Sequence, residues 1–238
     1  MSRKKIYFIR EKHTNFGGAE VYLSRLSKAL KKYNIEHEII FSNIPSYLPS
    51  WLRIFIFNLR LIISKGDRFY FSLERIICPD IYRAGDGVHK VFLGIEKKSK
   101  LNLLHPLYLY LEEKCFKNAK KIIANSEMVK KEIIDSYKIN PEKVRVIYSG
   151  IDLNEINYKL SFDKLSNEFN IKKQIPIILF VGSGYKRKGV YEFLKIIASL
   201  ENNNAIAFII GKEKKINFYK NMAIDLGIES KVIFTGPR

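Results

Sequence analysis

Phe180-Val181-Gly182-Ser183-Gly184-Tyr185-Lys186-Arg187-Lys188-Gly189 is the stretch that decides the fold. Ile175 to Phe180 ahead of it is an apolar run of strand length, and Val190 to Leu200 behind it has helical spacing. Between the two, glycines let backbone come close to a ligand, a helix N-terminus offers N–H groups, and three consecutive cations can neutralise an anion. A strand-to-helix turn of this kind predicts a diphosphate site on Gly184, Arg187 and Lys188. The alternative is a solvated basic turn. The spacing of a Walker-type loop, Gly-x-x-x-x-Gly-Lys-Ser/Thr, is absent.

The same strand-then-helix rhythm runs through the rest of the chain. Lys5 to Arg10 reads as a buried strand, followed by a turn with Asn15, Gly17 and Gly18 and a helix from Ala19 to Lys32. Further strands are expected at Glu38 to Ser42, Asp67 to Ser72, Asp80 to Ala84, Lys121 to Ala124 and Val144 to Tyr148. Helices are expected at Trp51 to Ser64, at His105 to Lys120 with Pro106 in its first turn, and from a Ser126 cap to Tyr137. The polar segment Asp152 to Gln174, with a short helix at Phe162 to Phe169, separates this half from a second. The second half restarts with strands at Ile175–Val181, Ala205–Ile210 and Lys231–Thr235 and helices at Gly189–Leu200 and Lys214–Leu226. The expectation is a mostly parallel α/β architecture: one Rossmann-like domain over residues 1–172 and a partial one over 173–238, with three strands where an open doubly wound sheet has five or six. Such sheets bind ligands at the carboxyl ends of their strands. Gly17-Gly18, Gly85-Asp86-Gly87, Asn125-Ser126, Ser149-Gly150 and Gly182-Ser183-Gly184 all fall there.

A chain of 238 residues with 47% hydrophobic content can bury a real core. Cys78 and Cys115 form neither a disulfide framework nor a metal motif, which points to a reducing cytosol. Ser2-Arg3-Lys4-Lys5 precedes an apolar run too short for a signal core, so no secretory leader is expected. Trp51 to Ile63 is interrupted by Arg53, Asn58 and Arg60 and cannot span a bilayer. The net charge of +18 suits nucleic acid, anionic lipid or a phosphate-bearing substrate, and equally a Lys/Ile/Asn-rich coding bias, so charge alone selects no partner. Nucleic acid is disfavoured because the cations scatter along all elements and no reading helix is present.

Four further constellations carry two readings each. Gly17-Gly18 is a ligand loop or a plain βα turn, and it lacks the spacing of a dinucleotide fingerprint. Asp86 and His89, three apart after a strand, can bind sugar hydroxyls or orient a reacting group; otherwise Asp86 is a helix N-cap and His89 a surface residue. His13, His37 and His105 are expected to lack partners. Asn125-Ser126-Glu127 reads as a capped helix start, and Ser149-Gly150-Ile151-Asp152 as a turn into the linker. Trp51 to Arg60, and Leu101 to Lys121, are apolar-aromatic with basic edges. They are either membrane-surface segments or buried helices with snorkelling cations.

Taken together, Gly17-Gly18-Ala19-Glu20, Tyr82-Arg83-Ala84-Gly85-Asp86-Gly87-Val88-His89, Ile123-Ala124-Asn125-Ser126-Glu127-Met128-Val129 with Val146-Ile147-Tyr148-Ser149-Gly150-Ile151-Asp152, and the 180–189 stretch resemble glycosyltransferase family 4, most of all the bacterial lipopolysaccharide-core and related surface-glycan transferases. The resemblance implies the two-domain GT-B fold. It implies transfer of a sugar from a nucleotide diphosphate sugar with retention at the anomeric carbon, without metal or other cofactor. Arg187 and Lys188 would hold the donor diphosphate with Gly184, and Gly17-Gly18 would face the donor. Asp86 and His89 would contact sugar or acceptor as the catalytic-side residues. The implied partners are a nucleotide-sugar donor, a glycan or glycolipid acceptor and the anionic inner-membrane surface, with a cytoplasmic location on its inner face. The family's two-glutamate motif, and the final helix that folds back onto the first domain, fall after Arg238 in the family's order. The resemblance therefore also implies a chain shortened ahead of the donor pocket, with little or no transfer activity. A non-catalytic module that docks acceptor or membrane is the other expectation.

Overall fold

The computed structural model describes residues 5–11, 17–96, 102, 104–150, 157–172, 175–200 and 204–238. His13 and Asn15, and the Ile151-Asp152 pair, lie outside the described residues. The chain divides into two compact units, Met1–Ile151 and Asp152–Arg238.

The first unit is built on a six-stranded sheet of β1 (Ile6–Arg10), β2 (His37–Phe41), β3 (Phe69–Ser72), β4 (Ile81–Ala84), β5 (Lys121–Ala124) and β6 (Val144–Val146). The order is β2-β1-β3-β4-β5-β6 and every pairing is parallel. Successive side chains of a strand point to opposite faces. Phe8 therefore packs with Leu23 and Phe71 under α1 (Gly18–Lys32), and Ile9 packs with Phe57, Leu61 and Tyr70 under α2 (Ser50–Ile63). Burial on both faces explains why β1 reads as a continuous apolar run. The chain leaves β1 through α1 toward β2 and returns through α2 to β3. The strand order thus reverses beside β1, which opens a crevice at the carboxyl ends of β1 and β3. The far half of the sheet is covered by α3 (His89–Glu96), α4 (Leu104–Asn118) and α5 (Glu127–Tyr137), whose Cys115, Phe116 and Ile133 meet Tyr82 and Ile122.

Helix α3 enters the sequence-based expectation only through the alternative in which Asp86 caps a helix. It has no local cap, since the backbone N–H groups of His89 and Lys90 are taken by Glu112 on α4. By contrast, α5 begins as expected, with Ser126 Oγ accepting from Val129 N–H at 3.2 Å.

The second unit contains α6 (Tyr158–Phe169), β7 (Ile177–Val181), α7 (Tyr185–Lys188), α8 (Val190–Ser199), β8 (Ile206–Ile210), α9 (Ile216–Asp225) and β9 (Val232–Gly236), with parallel strands in the order β7-β8-β9. Val190, Leu194 and Ile197, spaced at i, i+4 and i+7, pack onto Ala207 and Ile209 of β8 and Tyr219 and Ala223 of α9. Phe208 points the other way and meets Phe169 of α6 edge-on, with centroids 5.0 Å apart. Helix α6 starts four residues earlier than expected because Asn157 caps it, accepting from Leu160 N–H at 3.0 Å. Contacts thus divide the chain ahead of this helix, whereas the sequence placed the boundary after residue 172.

Candidate functional site

The carboxyl ends of β7, β8 and β9 are tied into one loop cluster. Gly182 N–H donates to Ile210 O (2.8 Å), Gly184 N–H to Lys212 O (3.2 Å) and Gly211 N–H to Gly236 O (3.0 Å). Lys212 N–H donates to Ser183 Oγ at 3.0 Å. Gly211 has φ +147°, and a Cβ there would stand 2.1 Å from the Gly182 carbonyl oxygen, so only glycine lets these two loops touch. Tyr185 anchors the cluster from below. It is wholly buried, its ring meets Tyr219 edge-on at 5.3 Å, and its hydroxyl donates to Gly211 O at 3.1 Å.

Burying Tyr185 fixes the orientation of its three successors. Lys186, Arg187 and Lys188 complete the single turn of α7 and are all exposed, and among the described residues none of them has an ion-pair partner. Gly184, at φ +73°, starts this turn in the left-handed region that side-chain-bearing residues avoid. The cations therefore stand on a one-turn helix rather than on the open turn expected from the sequence. One backbone N–H of this turn is already taken. Glu213 Oε2 accepts from Tyr185 N–H at 2.9 Å, and Oε1 from Lys215 N–H at 3.0 Å. These backbone donors, Lys215 first and then Tyr185, hold the Glu213 carboxyl below the usual carboxylate range. The exposed side chains of Lys186, Arg187 and Lys188 add cationic donors to this surface.

In the first unit, the loops at the carboxyl end of the sheet are brought together by arginines. Arg10 at the end of β1 pairs with Glu74 (2.5 Å) and Glu20 (2.8 Å), and Glu74 also accepts from Glu11 N–H at 3.1 Å. Burial pushes the Glu74 carboxyl up, against the opposing pull of Arg10. Arg83 at the end of β4 lies over the Tyr22 ring at 3.8 Å and donates to Ser149 Oγ at 3.3 Å. Arg25 of α1 donates to Gly150 O at 2.9 Å, and Asn125 Nδ2 to Gly85 O at 3.0 Å. Gly17 precedes α1 and accepts from Val21 N–H at 3.1 Å, while Gly18 is the first residue of the helix. Beside α1 runs a groove of about 710 Å³, lined among others by Arg10, Ser24, Arg25, Lys28 and Ile39.

Asp86 and His89 sit between β4 and α3. Asp86 is exposed and does not cap the helix. That role falls to Glu112, a carboxylate with no solvent exposure that sequence reasoning missed. Glu112 accepts from His89 N–H (2.7 Å), Lys90 N–H (3.2 Å), Arg75 Nε (2.9 Å) and Tyr137 Oη (2.7 Å). Arg75 also donates to Gly87 O at 3.1 Å, which fixes the loop carrying Asp86. His89 Nε2 and His105 Nδ1 are 3.2 Å apart, and the His89 ring lies against Phe92 and Tyr108. Burial first, then the Arg75 charge, lowers the His89 pKa below that of an ordinary imidazole, so the ring is neutral at neutral pH. It can exchange hydrogen bonds with a hydroxyl without carrying a charge. His105 is thus partnered, contrary to expectation. So is His37, whose Nε2 lies 2.7 Å from Ser27 Oγ.

Two family models match the chain in succession: Glycosyltransferase Family 4 over residues 86–155 and Glycosyl transferases group 1 over 161–238. Among curated relatives, the N-acetylgalactosamine-N,N'-diacetylbacillosaminyl-diphospho-undecaprenol 4-alpha-N-acetylgalactosaminyltransferase of Campylobacter jejuni is 23% identical over 212 residues, covering 89% of this chain and 49% of the relative. The crystal structure of WaaG, a glycosyltransferase involved in lipopolysaccharide biosynthesis, superposes with a TM-score of 0.83 at 20% identity, covering 98% of this chain and 70% of that one. Anabaena Alr3699/HepE in complex with UDP and glucose gives 0.69 at 18% identity, covering 99% and 70%. The chain matches between 29% and 49% of the length of these curated relatives. The parallel sheets, the order of the loops and the two matched models agree: the chain belongs to the glycosyltransferases of GT-B type.

Proposed function

We propose that this chain carries the acceptor-side unit and the diphosphate-binding loops of a retaining glycosyltransferase. The reaction moves a sugar from a nucleotide diphosphate sugar to a lipopolysaccharide-core or other surface-glycan acceptor at the cytoplasmic face of the membrane. The observation that carries this reading is the set of exposed cations, Lys186, Arg187 and Lys188, held above the ends of three parallel strands by buried Tyr185. Departure of a nucleoside diphosphate builds negative charge on its β-phosphate. Fixed side-chain cations stabilise that charge as it develops, and no divalent ion or other cofactor is required. Arg187 and Lys188 take this role, and Gly184 lets the backbone approach the phosphates. Gly17 and Gly18 line the donor side of the first unit. His89, neutral and hydrogen-bonding, and Asp86 address sugar or acceptor hydroxyls. The UDP and glucose bound by the HepE neighbour, and the diphospho-undecaprenol-linked acceptor named for the Campylobacter relative, support a sugar nucleotide and a glycolipid as the two partners.

Calorimetric titration with UDP in the presence of a chelator tests the reading. Binding that weakens about tenfold or more in Arg187→Ala supports it, since a hydrogen bond to a charged group contributes about 1.5–3 kcal/mol. Equal affinity in the two proteins removes Arg187 from the site.

A further inference from the structure

Of the arginines at the carboxyl end of the six-stranded sheet, Arg10 pairs with Glu20 and Glu74, and Arg75 with Glu112. Arg25 and Arg83 have no carboxylate partner among the described residues. Arg83 is only 9% exposed, although a buried charge is ordinarily paired. Its guanidinium folds back over Gly85, where a Cβ would run into it, so the Arg83-Ala84-Gly85 sequence makes the room this side chain occupies. Tyr22 lies against the guanidinium at 3.8 Å, and Ser149 Oγ accepts from Nη2 at 3.3 Å. An arginine fork has five N–H groups. Those of Arg83 that lack a partner are not sealed from solvent.

Arg25 reaches the same place from α1. Tyr22 and Arg25 share a face of that helix at i, i+3. Arg25 donates to Gly150 O at 2.9 Å, one residue on from Ser149. Two guanidinium groups therefore converge on the Ser149-Gly150 segment beyond β6, beside the end of β4. Like charges brought together repel, and the hydroxyl and carbonyl that hold these two supply no counter-charge. An anion between the forks supplies it.

Charge and room decide which anion. A phosphate monoester carries a charge of about −1.5 to −2 at neutral pH and offers three acceptor oxygens, which suits two forks better than the single charge of a carboxylate. Arg25 also lines the groove of about 710 Å³ beside α1, together with Ser24 and Lys28, and a groove of that size holds a sugar attached to the phosphate.

We infer that Arg25 and Arg83 form a phosphate subsite of the first unit, and that it takes the phosphoryl group of a phosphorylated acceptor sugar. The loop that holds Gly85 also carries Asp86, so naming that sugar the acceptor rests on the function proposed above. The competing source of a phosphoryl group is the nucleotide diphosphate.

Ligand-observed NMR titrations of the full chain with glucose 6-phosphate, glucose and UDP separate the two sources. Glucose 6-phosphate should bind, and glucose should not displace it. Arg25→Ala, at an exposed position, should weaken glucose 6-phosphate about tenfold or more, and Arg83→Gln at least as much. Arg25→Ala decides the matter if Arg83→Gln fails to fold. Arg187→Ala, and Lys131→Ala at an exposed position on α5, should bind glucose 6-phosphate as the parent chain does. UDP should be weakened by Arg187→Ala and not by Arg25→Ala. Four results would overturn the inference: no binding of glucose 6-phosphate to the parent chain; equal affinity in the parent chain and Arg25→Ala; loss of glucose 6-phosphate in Arg187→Ala, which puts the phosphate on the basic turn; or UDP weakened by Arg25→Ala as much as glucose 6-phosphate is, which gives the subsite to the donor. UDP affinity indifferent to Arg187 strikes the proposed donor loop and leaves the phosphate subsite standing.

Discussion

Replacing Glu112 by alanine removes the acceptor of four groups at once: Arg75 Nε, the Tyr137 hydroxyl and the backbone N–H groups of His89 and Lys90. Arg75 is left as a largely buried guanidinium without its carboxylate. Breaking a buried ion pair from one side costs about 3–5 kcal/mol. The unpaired N–H groups at the start of α3 add about 1 kcal/mol each. A total of about 5–7 kcal/mol is a large share of the about 5–15 kcal/mol that holds a typical domain together. Glu112→Gln keeps the shape and one acceptor oxygen, and should cost about half as much. The double replacement Glu112→Leu/Arg75→Met removes both charges, and should be milder than Glu112→Ala because no unpaired ion is left behind. The assay is urea unfolding followed by Trp51 fluorescence, which reports the unit that contains Glu112. A loss below about 1 kcal/mol in Glu112→Ala, or a double variant less stable than the single one, would refute the reasoning.

Other expected outcomes are equally specific. Gly211→Ala places a Cβ against the Gly182 carbonyl at a φ that side chains avoid; it should cost about 3 kcal/mol or more and weaken UDP binding together with thermal stability of the second unit. A variant with unchanged melting and unchanged UDP affinity would show that the loops are not locked as described. Ser126→Ala removes the cap of α5 and should lower the stability of the first unit by about 1 kcal/mol, read by the same urea experiment. His89 has a lowered pKa when folded, so the unfolded chain binds the extra proton; its contribution is fully present above the ordinary value of 6.5 and declines as pH falls below it toward the folded pKa. Proton-linked shifts of the His89 ring in NMR should therefore have a midpoint below 6.5, and a midpoint above that value would contradict the burial argument.

Periodicity made the alternating elements legible, because the central strands of the first sheet, such as β1 and β3, are short apolar runs covered on both faces. Ser126 was legible because a side-chain cap is local. Helix α3 was not, because its cap is a carboxylate 23 residues away on another helix. A signal for Glu112 did exist. It occupies a core position of α4, between Leu111 and Cys115, where a charge persists only with buried partners. The side-chain partners of His37 and His105, Ser27 and His89, come from other segments, and nothing in the local sequence announces them. At the basic loop, residue types gave the charge and its place at a strand end. The local sequence does not show that Glu213 occupies the N–H of Tyr185, because Glu213 follows the next strand.

The most direct test of the central claim is a crystal structure of the chain with a sugar nucleotide bound. The account predicts diphosphate oxygens within hydrogen-bonding distance of the Arg187 guanidinium and the Lys188 ammonium, above Gly184. A diphosphate bound elsewhere, or Arg187 and Lys188 pointing into solvent with the nucleotide in place, would contradict it.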